Sequence, residues 1–103
     1  MSSAPDTGPN ALVARCAQLL ELLCGAVPHG MSNKAIADAL RVPPSYVTRA
    51  AADLAAIGWV EKLPSGNFCV TTRFSRLSFR VLASFEREQQ RLGDMQRNFT
   101  LNN

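Results

Sequence analysis

The sequence predicts a mainly α fold with a small β-hairpin, an α+β arrangement in which three helices precede the hairpin and one long helix follows it. Three observations carry this reading. Apolar residues recur at three and four through ALVARCAQLLELLC, NKAIADAL and SYVTRAAADLAAI; two short β-rich runs, WVEKL and FCVTT, flank PSGN; and helical spacing resumes near Arg73 and holds to Phe99. With 103 residues, 47% of them hydrophobic and 18% charged, the chain supports one small core.

Residues 1–9, with Pro5, Gly8 and Pro9, read as a flexible arm that ends at a possible N-cap, Asn10. In the first helix Leu12, Cys16, Leu19, Leu20 and Leu23 form one stripe, and Gly25 supplies a stop. AVPHG follows as a loop. Ser32 can cap the second helix, whose inward side is Ile36, Ala37 and Leu40. That helix is short because Pro43 and Pro44 interrupt it, although Pro44 suits the first turn of the next.

The third helix runs from about Pro44 to Ile57 and ends at Gly58, with Val47, Ala50, Ala51, Leu54 and Ile57 facing inward. Its polar side chains, Ser45, Tyr46, Thr48 and Arg49, crowd its beginning, and alanine dominates the rest. A helix solvated along its whole length would spread such groups out. In the hairpin, Pro64 and Gly66 suit the turn. The domain organisation read from these signals is therefore an arm over 1–9, a folded unit over 10–72, a long helix over 73–99, which at ~1.5 Å per residue would extend roughly 40 Å, and a disordered tail over 100–103.

Several function classes are disfavoured. One histidine, no nucleophile with a recognisable base and no phosphate-cradling glycine loop argue against an enzyme. Cys16, Cys24 and Cys69 lack a metal-binding or disulfide pattern and read as reduced core thiols, so neither metal nor cofactor is expected. No run approaches the roughly 18 apolar residues of a membrane span and the N-terminus lacks a secretion signal, which points to a cytoplasmic protein.

Charge is more informative. Residues 31–76 hold Lys34, Arg41, Arg49, Lys62, Arg73 and Arg76 against Asp38, Asp53 and Glu61, whereas the remaining basic and acidic residues cancel. The entire excess behind the net charge of +3 lies where a polyanion would meet the second helix, the third helix and the hairpin.

Three helices, a tight corner between the second and third, and a hairpin form the order of a winged helix-turn-helix. The stretch GMSNKAIADALRVPPSYVTRAAADLAAIGWVEKLPSGNFCVT resembles the N-terminal DNA-binding domain of IclR-type bacterial transcription regulators over about residues 11–75. The match rests on Ile36, Ala37, Leu40, Val42, Val47 and Ala50, on Arg49 after Ser-x-Val-x, and on Leu54, Ile57, Gly58, Trp59 and Val60 leading into the wing. The resemblance implies a sequence-specific protein of double-stranded DNA whose third helix enters the major groove, where base edges meet the N-terminal turns of a recognition helix.

In that setting Arg49 suits a guanine or a phosphate, and Ser45, Tyr46 and Thr48 suit bases or backbone, with Tyr46 alternatively covering the core edge. Asn33, Lys34 and the second helix's N-terminus suit a phosphate. Lys62, Ser65 and Asn67 on the wing, with Arg73 and Arg76 after it, suit the adjacent backbone or minor groove. Asp53 reads as a surface or intramolecular partner. Two departures stand out. Arg41 occupies a turn position where the family usually has glycine; a left-handed conformation there would cost about 1 kcal/mol unless its side chain finds a use such as a phosphate. And only 31 residues follow Thr72, so the family's effector-binding domain, and with it a small-molecule effector, is not expected.

Phe74, Ser78, Val81, Phe85, Glu88, Leu92, Met95 and Phe99 follow heptad spacing along the last helix, beside a stripe of Arg73, Arg76, Arg80, Arg87 and Arg91. One reading packs the first half of this helix on the first helix and leaves the arginines solvated. The favoured one makes Val81, Phe85, Leu92, Met95 and Phe99 a homodimer seam, which would set two third helices in successive major grooves of a near-palindromic site. The expected function is a dimeric regulator acting by occupancy, a repressor type of action. The competing reading is a partner-docking or inhibitor module, compatible with the mild charge and with a phage or mobile-element origin.

Overall fold

A computed structural model describes residues 9–101 of the chain. Six elements follow one another: α1 (Pro9–Cys24), α2 (Asn33–Leu40), α3 (Pro44–Ala56), β1 (Val60–Lys62), β2 (Phe68–Val70) and α4 (Thr72–Leu101). The fold is the expected mainly helical one with a single antiparallel hairpin. Residues 1–8 of the expected arm and 102–103 of the expected tail lie outside the described residues. Two boundaries move. α1 begins at Pro9, whose fixed φ suits a first helical turn, so Asn10 lies inside the helix instead of capping it. α4 continues through Thr100 and Leu101, which were expected to be tail.

The turns use the residues the sequence marked. Ser32 caps α2 by accepting a hydrogen bond from Ala35 N at 3.1 Å. α2 ends at Arg41, which is left-handed at φ 57°, ψ 48°, and the chain reverses as Val42 N donates to Ala37 O. Pro43 is extended and Pro44 starts α3. At the far end Gly58 takes φ 82° while Trp59 N donates to Leu54 O, which closes α3 and aims the chain into β1.

Leu19 and Leu23 of α1, Ile36 of α2, and Val47, Ala51 and Leu54 of α3 meet in the core, each at most 4% exposed. Small residues on α3 permit this, because Ala50 and Ala51 let α1 and α2 approach its backbone. The apolar stripes are shorter than the sequence implied. Leu12 is 44% exposed, a turn beyond the part of α1 that α2 and α3 cover, and Ile57 is 48% exposed because it is the C-cap, where non-helical angles turn its side chain off the stripe. Cys69 is buried and Cys16 half-buried, but Cys24 is exposed at the end of α1 and is not a core thiol.

β1 and β2 pair with Val60 opposite Val70 and Lys62 opposite Phe68. The segment read as a plain loop also joins the sheet, since Met31 and Phe68 exchange N–H to O hydrogen bonds of 2.9 and 2.8 Å. Thr71 ties the ends together: its hydroxyl donates to Gly58 O and accepts from Phe74 N, capping α4. Phe74 then stacks on Trp59 at 5.1 Å between ring centroids. Beyond it no residue of α4 is buried. The helix projects, giving a radius of gyration of 19.8 Å where a compact chain of this length has about 13 Å.

Candidate nucleic-acid interface

The N-termini of α2 and α3 converge, and Asn33 is what joins them. Asn33, the first residue of α2, donates from Nδ2 to Thr48 Oγ1 at 2.8 Å and to Pro44 O at 3.3 Å. Thr48 in turn donates its hydroxyl to Pro44 O at 3.2 Å. Two helix N-termini, each carrying unpaired N–H groups and a partial positive charge, are thereby held side by side. Asn33 Oδ1 lies buried without a hydrogen-bond partner among the described residues, so this amide is fixed by its donor end alone.

Beside this junction, Ser45, Tyr46 and Arg49 all lie on the exposed side of α3. Arg49 has no hydrogen-bond or ion-pair partner among the described residues, leaving all its donors available. Tyr46 is 47% exposed, with the Arg15 guanidinium 4.6 Å from its ring centroid. Arg15 was not singled out in the sequence. The only signal for it there was a lone basic residue within the apolar first helix, and nothing local reveals that α1 brings it against the first turn of α3. Lys34 is paired with Asp38 at 3.2 Å, but both side chains are highly exposed, and such a pair is readily exchanged for a phosphate.

The wing residues divide. Lys62 is exposed, with Nζ 5.9 Å from the Phe68 ring centroid. Ser65 and Asn67 are partly occupied in shaping the tip: Ser65 Oγ accepts from Asn67 N, and Asn67 Nδ2 donates to His29 O at 3.1 Å, fastening the wing to the loop before α2. Arg73 lies against Gly58, its Cδ and Nη1 each 3.3 Å from where a β-carbon there would stand. This is the C-terminal end of α3, about 20 Å along the helix from Ser45, so Arg73 is not brought to the polar cluster. Arg76 is exposed one turn further along α4.

Asp53 turns towards α1. Burial raises the Cys16 thiol above its ordinary range, and the nearby Asp53 carboxylate adds to the shift. A carboxylate on that side does not oppose a polyanion at the α3 N-terminus. Among the described residues no three His, Cys, Asp or Glu groups come together to hold a metal ion, and no helix is long and apolar enough to cross a membrane.

Compared with models of known protein families, residues 12–64 match the IclR helix-turn-helix domain. No curated protein matches the chain.

Proposed function

Since the chain belongs to the IclR helix-turn-helix domain family and is thus a DNA-binding domain of regulator type, we propose that it reads a specific double-stranded DNA sequence, as a homodimer, and regulates transcription by occupying its site. The observation that carries this reading is the α2–α3 junction: two helix N-termini fastened by Asn33, with Arg49, unpaired among the described residues, and the exposed Ser45 and Tyr46 beside them. The paired N-termini and Lys34 suit phosphates and fix the register of α3 in the major groove. Arg49 supplies the base contact, a bidentate pair with guanine O6 and N7. Thr48, engaged with Asn33 and Pro44, supports this geometry more than it reads bases. Lys62, Ser65 and Asn67 carry the wing to the flanking backbone, and Arg41, Arg73 and Arg76 supply outer phosphate contacts.

The test is a selection of bound duplexes from a random pool, followed by affinity measurements on selected and random DNA over a range of salt. The expected result is a steep salt dependence on both and a preference for the selected sequence. Arg49→Ala should reduce that preference by about 1–3 kcal/mol, a factor of roughly 5 to 150, with the far-ultraviolet spectrum unchanged because Arg49 is exposed. Equal binding of selected and random DNA by the intact chain, or an unaltered preference in the variant, would falsify the assignment of α3 as the reading helix. A protein-docking module would show neither salt-steep DNA binding nor selection.

A further inference from the structure

From Leu77 onward no residue of α4 is buried, and its exposed face is ordered. Ser78, Phe85, Leu92 and Phe99 fall on one heptad position and Val81, Glu88 and Met95 on the other. Val81, Phe85, Leu92, Met95 and Phe99 are each 44–71% exposed, so the seam is apolar except at Ser78 and Glu88. Glu88 is ion-paired with Arg91, and Arg91 also lies 3.5 Å from Met95 Sδ, along the seam's edge.

We infer that α4 binds the α4 of a second copy of this chain in antiparallel orientation, with the two-fold axis near Gln90. The charges decide the orientation. In a parallel pair, equivalent positions face each other, so Glu88 would meet Glu88 in the middle of an apolar seam, two desolvated like charges. In an antiparallel pair, the two seam positions alternate across the interface. With the axis near Gln90, Phe85 packs on the second copy's Met95, Val81 on its Phe99 and Glu88 beside its Leu92. Glu88 then lies within one residue's rise of the second copy's Arg91, on the same edge, so each carboxylate gains a second guanidinium and two reciprocal ion pairs flank the axis. Moving the register by one heptad, to an axis between Glu86 and Arg87, sets Phe85 on Glu88 and Ser78 on Met95. It also requires Phe74, which is already stacked on Trp59. The register at Gln90 matches apolar with apolar at every paired seam position except Glu88, and there it supplies the second copy's Arg91 as countercharge.

This inference deepens the dimer part of the proposed function and rests on it. It has a geometric consequence. Each DNA-binding unit ends at Thr72, about 27 Å from the axis, so these two ends stand roughly 54 Å apart along the helices.

The experiment uses the full chain without DNA. C16A and C24S leave only the buried Cys69, and a cysteine at one added position carries a nitroxide. Sedimentation should give a dimer. Labels at Gln90→Cys, level with the axis but on the outer face of each helix, should lie about 20 Å apart, and labels at Thr100→Cys more than about 30 Å apart, since their heights alone differ by twice the ~15 Å from the axis. Glu88→Arg should weaken the dimer about tenfold, and adding Arg91→Glu should restore it. A monomer at all concentrations, a mass other than a dimer, or a Thr100 separation no larger than that at Gln90 overturns the inference. A monomer that still shows Arg49-dependent DNA preference sinks this inference alone. An antiparallel dimer without DNA preference sinks the DNA reading alone.

Discussion

Arg41 and Gly30 occupy the same left-handed region, at φ 57° and 72°, and they make opposite predictions. A glycine at position 41 would relieve about 1–2 kcal/mol of crowding, partly offset by the greater freedom of the unfolded chain. Arg41→Gly should therefore leave stability unchanged or raise it by up to about 1 kcal/mol in urea unfolding, while removing about one phosphate from the salt dependence of DNA binding. Gly30 has no such latitude. A β-carbon there would stand 2.2 Å from Phe68 O, the acceptor of the Met31 N–H, so Gly30→Ala must break the bridge that fastens the loop to the hairpin. It should cost at least about 2 kcal/mol in the same measurement. The cysteines supply a second residue-scale prediction. Cys24 is exposed, Cys16 is half-buried with its thiol pushed up, and Cys69 is buried. Alkylation at neutral pH followed by mass spectrometry should modify Cys24 first, Cys16 much later because its thiolate fraction is small, and Cys69 only on unfolding. Arg41 was legible from the sequence, as a residue standing where the turn favours glycine. The exposure of Cys24 was not, because the helical pattern gives no sign of where the covering elements stop.

At the scale of elements, the legible parts were those with local causes. Ser32 beginning α2, the two prolines at the corner, Gly58 ending α3 and Gly66 in the hairpin turn each act through their own backbone or a neighbour within a few residues. The parts that escaped are long-range. Asn33 reaches Thr48, Met31 pairs with Phe68, Asn67 reaches His29 and Arg15 stacks on Tyr46, and no spacing rule connects such positions before the fold is known. Asn33 illustrates why a junction of this kind matters more for function than for stability. Its two donated hydrogen bonds contribute about 1 kcal/mol each, and its buried, unpartnered Oδ1 costs of order 1–3 kcal/mol, so the two nearly cancel. Asn33→Ala should shift unfolding free energy by less than about 1 kcal/mol. The same variant frees Thr48 and lets the α2 and α3 N-termini drift apart, so DNA affinity should fall by more than the stability change, roughly tenfold. A loss of stability larger than the loss of binding energy would contradict the positioning role.

For the whole molecule, the long projecting helix divides the chain into a core against which α4 packs only Phe74 and an exposed seam that the proposed second chain would cover. The sequence showed both the heptad spacing and the arginine stripe, but it left open whether the first half of the helix lies on α1; in the structure only Phe74 packs against the core, and no α4 residue is buried. The reason is geometric, since Thr71 caps α4 at the hairpin's base and launches it away from the helices. Ending the chain after Arg80 therefore removes exposed apolar side chains and leaves the Trp59–Phe74 contact and the whole core intact. The shortened chain should fold as a monomer whose thermal midpoint does not depend on protein concentration. The full chain's midpoint should rise with concentration, because dimerisation draws the equilibrium towards the folded state by mass action. Extrapolated to dilute solution the two midpoints should converge within about 8 °C, the shift expected from roughly 1 kcal/mol in a domain of this size. The salt slope for DNA should fall to about half, as one set of phosphate contacts replaces two. If the shortened chain unfolds at low temperature in dilute solution, α4 holds up the core after all; if its midpoint still climbs with concentration, self-association lies outside the seam.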